Sequence, residues 1–183
     1  MITLRFDGLF RTISPNNDPR EVTGLMCYGW VIFRDGRLVA HGHGAFARPE
    51  LASSNSAEYL AMIEGLQALR DMGVQREAVE VIGDARSVIE QMLGLAGVSS
   101  PQARPLYQRA RRIARHFHNV RWVWQPRRDN SFADQLTRRA LKMVNCNRES
   151  TRQALQQAVK PRGGLMSLLD LSVFSVSARQ PVS

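Results

Sequence analysis

The apolar residues of this chain change their period partway along, and the order of the two periods constrains the fold more than any other feature. In the first seven residues Ile2, Leu4 and Phe6 alternate with Thr3, Arg5 and Asp7, the every-second-residue pattern of a strand with an acidic residue at its end. Residues 14–20 are turn formers with two prolines, so the connection to the next strand is long. The stretch GWVIFRDGRLVAHGHGAF then sets Asp35-Gly36, a strong two-residue turn signal, between two apolar strands. From Ala52-Ser53-Ser54-Asn55 onward the period lengthens. Tyr59, Met62, Ile63, Leu66 and Leu69 recur at spacings of three and four, which predicts a helix reaching residues 72–73. A strand over 78–83 ending at Asp84, a helix over 86–95, a break at SSPQARP, a helix over 106–117, a strand over 120–124 and a helix over 130–144 complete the pattern. This order argues an α/β fold with a mixed five-stranded sheet, three antiparallel strands followed by two parallel ones, flanked by helices.

With 183 residues and 44% apolar composition, the chain has enough material for one domain of ordinary size and an extension. The periodic pattern weakens near residue 145, so the expected division is a domain over 1–145 and a C-terminal extension over 146–183. Within the extension, 148–159 suits a polar helix and 160–164 is a basic linker. Residues 165–176 hold eight apolar residues, interrupted by Asp170. That run is too short to cross a bilayer. It is expected to dock on its own domain, to meet a protein partner or second copy, or to stay disordered. MITLRFDG has no charged-then-apolar leader and no membrane segment is expected, so the expected location is cytoplasmic. Cys27 and Cys146 lie far apart without C-x-x-C spacing and are expected to be ordinary thiols.

The net charge of +9 is segregated along the chain. Residues 1–99 carry 9 basic and 12 acidic side chains, whereas residues 100–183 carry 16 basic and 4 acidic. Arginine accounts for 23 of the 25 basic residues. Its planar fork matches phosphate oxygens and stacks on bases, so a polyanionic partner is the first expectation. GC-rich coding would explain the excess of arginine over lysine but not the asymmetry. Arg109, Arg111, Arg112 and Arg115 lie along one predicted helix, with Arg111 and Arg112 the candidates for a phosphate grip.

Four carboxylates fall where the apolar pattern stops. Asp7 and Asp84 are placed at strand ends, and Glu58 and Asp134 in the first turns of two helices. If the first and fourth strands are parallel neighbours, Asp7 and Asp84 sit side by side at the sheet edge where α/β folds bind ligands. Singly, each has an ordinary explanation as a turn former or as a charge favourable to a helix dipole. Converging together, they would demand divalent cations, and an all-oxygen ligand set selects Mg²⁺ or Mn²⁺ over zinc. His41 and His43 share a strand face and His116 and His118 close the Arg-rich helix. None has ligand-like spacing to a cysteine or another histidine.

F-D-G at Phe6 to Gly8, N-S-A-E-Y-L-A-M-I-E-G-L-x-A-L at Asn55 to Leu69, V-I-G-D-A at Val81 to Ala85 and W-V-W-Q-P-R-R-D-N-S-F-A-D-Q-L at Trp122 to Leu136 together resemble the type 1 ribonuclease H family. The resemblance covers residues 1–145 and implies a ribonuclease H-like sheet. It implies that Asp7, Glu58, Asp84 and Asp134 hold two Mg²⁺ ions, with Mn²⁺ as the alternative. Ser53 and Asn55 match the family's backbone-contacting polar residues, and Asn130, one turn before Asp134, is either an N-cap or a supporting member of the site. The sequence departs from the family in three places. A longer loop containing Asn16 and Asn17 replaces the glycine-rich turn after the first strand. The interval after Asp84 is too short for an extra basic protrusion. Pro126-Arg127 stands where many members carry a histidine, which gives Arg127 the scissile or product phosphate as its expected contact.

The activity implied is an endonuclease that cleaves the RNA strand of an RNA/DNA hybrid, leaving 5′-phosphate and 3′-hydroxyl ends. Its rivals are a non-catalytic nucleic-acid-binding protein on the same fold and another nuclease of the superfamily, such as a 3′-to-5′ exonuclease. Four carboxylates disfavour the first, and Leu9 two residues after Asp7, where the exonucleases place a glutamate, disfavours the second.

Overall fold

The computed structural model describes residues 1–13, 23–47, 52–146 and 180–181. Strand β1 (Ile2–Ile13) pairs antiparallel with β2 (Thr23–Arg34), which turns through Asp35 and Gly36, both at positive φ, into β3 (Arg37–Ala47). Helix α1 (Ser54–Asp71) leads to β4 (Ala78–Gly83), then to α2 (Arg86–Leu93) and α3 (Arg104–Ala114). Strand β5 (Asn119–Trp124), a 3-10 turn at Arg127–Asp129 and α4 (Ser131–Cys146) follow. β1 and β4 are parallel, as are β4 and β5. A two-residue strand β6 (Gln180–Pro181) pairs with β3 at Ala40 and His41, giving the order β5-β4-β1-β2-β3-β6. The five main strands are those expected from the sequence. The sixth is too short to leave a periodicity.

The expectation that Asp7 ends the first strand is corrected. β1 continues to Ile13 along β2, whereas its parallel pairing with β4 stops at Arg5 against Ile82. Asp7 is therefore inside a strand on one side and beyond the end of the sheet on the other, which is what opens it toward Asp84. Glu58 is corrected likewise: α1 starts at Ser54, so Glu58 lies in its second turn.

One large core fills the space between the sheet and α1, α2 and α3, with Leu4, Phe6, Trp30, Leu60, Leu66, Ile89 and Leu106 among its members. α1 is buried on most sides because the sheet covers one flank and α3 another. Across the sheet, α4 covers a much smaller cluster of Leu25, Cys27, Ala45 and Ala140. Cys27 is buried, Cys146 is exposed, and both are free thiols, as the sequence implies. No helix among the described residues is long and apolar enough to cross a membrane. The proposed polar helix, the basic linker and the apolar run at 165–176 lie outside the described residues, as do Asn16 and Asn17.

Candidate active site

Two close approaches bring helices from opposite faces to one level of the sheet. A Cβ on Gly8 would lie 2.3 Å from the backbone of Ala57 and Glu58, so only glycine lets α1 press this closely on β1. Gly29, the cross-strand partner of Asp7, does the same on the other face, where a Cβ would lie 2.6 Å from the carbonyl oxygen of Ala133 in α4. Asp7 stands between these contacts, at 1% exposure.

Oxygen atoms of Asp7, Glu58 and Asp84 lie within 4.8 Å of one another. Glu58 is 8% exposed, and Asp84 follows directly on β4, its carbonyl accepting from Trp124 Nε1 at 3.0 Å. Burial raises the Asp7 carboxyl to about 6, with the Thr137 hydroxyl opposing the shift and Asp84 adding to it. Burial, then Asp7 and Asp84, push Glu58 well above the ordinary range. Burial also raises Asp84, and Arg127 opposes it. Asp7 Oδ2 and Glu58 Oε2 are buried without a hydrogen-bond partner. Orphaned acceptors of this kind, all oxygen and all anionic, fit a divalent cation of the Mg²⁺ or Mn²⁺ type.

Asp134 lies outside this group of three but close enough for its charge to act on Asp7 and Asp84. Arg127 donates to its Oδ1 from Nε at 3.1 Å and again from Nη2, while Arg138 donates from Nε to Oδ2 at 2.7 Å. Burial acts to raise the Asp134 carboxyl, but these hydrogen bonds outweigh it and hold the carboxyl below the usual range. The turn carrying Arg127 is anchored from the sheet by Arg5, which donates to Gln125 Oε1 at 2.8 Å and to the Asp129 carbonyl at 2.6 Å.

The remaining candidates separate into exposed and structural positions. Ser53 caps α1 by accepting from the Ser56 backbone N–H at 3.1 Å, and Asn55 accepts from Ser87 Oγ at 3.3 Å. Both sit near the surface, close to Glu58 in the chain. Asn130 is fully buried, and its Nδ2 donates to the Phe6 carbonyl at 2.7 Å. That bond makes it a tether between the start of α4 and β1. Arg111 donates through Nη1 of its fork to the Met92 carbonyl at the end of α2, at 3.0 Å, and Arg112 is exposed. Buried His43 sets Nε2 against Met143 Sδ, whereas His116 is exposed and its Nδ1 contacts the Ile113 carbonyl of its own helix end.

Sequence reasoning missed Thr137 and Arg138. The single Thr137 hydroxyl lies 3.0 Å from both the Asp7 and the Ala133 carbonyl, so its one hydrogen is shared between them. Both residues lie three and four positions after Asp134, the spacing that stacks side chains on one helix face, so the signal was present.

The profile of the family described as reverse transcriptase-like matches residues 22–140. A crystal structure of RNase H1 from Halobacterium salinarum is 31% identical, has a TM-score of 0.66, and is matched over 78% of this chain and 98% of that one. The chain belongs to the type 1 ribonuclease H family. Within that family, a bifunctional protein of Mycobacterium tuberculosis is 36% identical over 131 residues, covering 70% of this chain. This chain spans only 35% of that protein's length. The crystal structure of LC11-RNase H1 in complex with RNA/DNA hybrid shares the fold, at a TM-score of 0.67 and 24% identity over 79% of this chain and 99% of that one.

Proposed function

We propose that the chain is a metal-dependent endonuclease that hydrolyses the RNA strand of RNA/DNA hybrids, leaving 5′-phosphate and 3′-hydroxyl ends. The observation that carries this reading is the convergence of Asp7, Glu58 and Asp84 with buried, unpartnered oxygens on a ribonuclease H fold. A protein built only to bind phosphate gains nothing from three clustered carboxylates. When bound, two divalent ions supply a lowered pKa for the attacking water and a charge to stabilise the departing 3′ oxygen.

The residues of the chain hold and orient the reacting groups. Asp7, Glu58 and Asp84, with Asp134 close enough for its charge to act on Asp7, would hold the ions. Arg127, bonded to Asp134 beside Asp7 and Asp84, is the proposed bidentate contact to the scissile or newly formed phosphate. Ser53, Asn55 and exposed Arg112 are the proposed contacts to the nucleic-acid backbone, which position without reading sequence. RNA would be told from DNA through its 2′-hydroxyls.

The deciding assay incubates a labelled hybrid beside duplex DNA and duplex RNA with Mg²⁺, Mn²⁺ or EDTA. Cleavage is expected of the hybrid's RNA strand alone, and only with metal. Asp84→Asn should abolish it in a protein that still folds. Near-normal turnover in that variant, or metal-independent cleavage, would refute the two-metal reading.

A further inference from the structure

The four carboxylates are treated unequally by the protein's own cations. The buried oxygens Asp7 Oδ2 and Glu58 Oε2 are left without partners. Asp134 has both oxygens engaged, Oδ1 by the two nitrogens of the Arg127 fork and Oδ2 by Arg138. Those bonds are charge-assisted and fill three of the carboxylate's roughly four acceptor sites, so a divalent ion approaching Asp134 has either to displace one of them or to enter at Oδ2 against the charge of the adjoining guanidiniums. The arginine doing most of this is held in place from behind, because Arg5 fixes the short turn on which Arg127 sits.

We propose that Arg127 is a latch, assisted by Arg138, that withholds Asp134 from divalent ions in the free protein. The resting site takes its ion on Asp7, Glu58 and Asp84. Asp134 is released when a phosphate of bound nucleic acid draws the Arg127 fork onto itself, a geometrically equivalent anion for the same donors. The ion position on Asp134 is then assembled by substrate, and a stray ion alone does not complete the centre. This links catalytic competence to correct binding, the logic of induced fit. Arg127 acts here as a positioning residue, through the availability of Asp134.

The release step rests on the nuclease reading given above; the withholding step does not, and it can be tested with no nucleic acid present. The full chain is titrated with Mn²⁺, following heat and the electron paramagnetic resonance signal of free Mn²⁺. The parent is expected to take up one ion tightly. Arg127→Ala should admit a second, with affinity raised about tenfold or more over any second ion in the parent, as expected when charge-assisted bonds competing for the site are removed. Arg127→Lys, which keeps the charge without the fork, should fall between the two, and Arg138→Ala should give a smaller gain. Adding Asp134→Asn to Arg127→Ala should remove the gained ion. A gain of binding cannot come from general damage to the fold. Two equally tight ions in the parent, or an Arg127→Ala titration matching the parent, would overturn the latch. Because the readout is metal uptake, either result stands whether or not the hybrid is cleaved.

Discussion

The two faces of the sheet are held by different forces. The α1 face is closed by a large apolar core in which residues such as Leu66, Met62 and Phe6 have no exposure at all. The α4 face has a small apolar cluster and relies on directed bonds, from Asn130 to the Phe6 carbonyl and from Thr137 to the Asp7 carbonyl. Apolar packing supplies stability without direction, whereas a hydrogen bond fixes position with little net stability. The face that carries Asp134 and its arginines is thus the one where placement counts for more than cohesion.

That contrast predicts its largest effect on the apolar face. Leu66→Ala removes a fully buried side chain from the main core and should cost about 2–5 kcal/mol in denaturant unfolding, while the folded fraction keeps its cleavage rate. A loss well under this range would mean that α1 is less central to cohesion than its burial implies.

A smaller effect is expected at Asp7, and its sign depends on pH. Burial lifts this carboxyl from 3.8 to about 6, so in metal-free buffer the folded state holds a proton that the unfolded chain releases. Ionisation then costs stability as pH climbs through that interval, and raised Glu58 and Asp84 act in the same direction. Asp7→Asn escapes this penalty and should be more stable than the parent at pH 7, by about 2 kcal/mol. Thermal unfolding should show the gap closing near pH 4. A gap of equal size at both pH values would detach it from the titration of Asp7.

The smallest effect belongs to Thr137→Val, which keeps the shape but leaves two carbonyls one donor short. It should cost about 1 kcal/mol in unfolding and lower turnover more than that loss of stability explains. Unchanged turnover would show that α4 is positioned by its apolar cluster after all.

Much of this was readable in the sequence because local periodicity and turn chemistry agree with the fold. The Asp35-Gly36 hairpin and the strand at Ala78–Gly83 lie where the pattern puts them. The extent of β1 was not readable, since beyond Asp7 the alternation is interrupted by Gly8 and by Leu9 and Phe10 in succession; only pairing with β2 shows the strand continuing. The carboxylates themselves were legible from spacing and resemblance. Their division into three and one was not, because it depends on where the long side chains of Arg127 and Arg138 fold back, a tertiary outcome. The Arg111 contact with the Met92 carbonyl is likewise a tertiary outcome that its place on a basic helix does not reveal.

The glycines at positions 8 and 29 set a limit on how this protein can be improved. Exchanging glycine for alanine is a general route to heat resistance, since it restricts the unfolded chain by an amount worth about 0.4–1 kcal/mol where the native backbone tolerates a methyl group. At these two positions the methyl carbon would fall 2.3 Å and 2.6 Å from the backbone of α1 and α4. Either helix would have to lift away from the sheet, carrying Glu58 or Asp134 with it. A directed-evolution campaign for thermal tolerance should therefore find these two sites closed, and any survivor there should trade turnover for its survival.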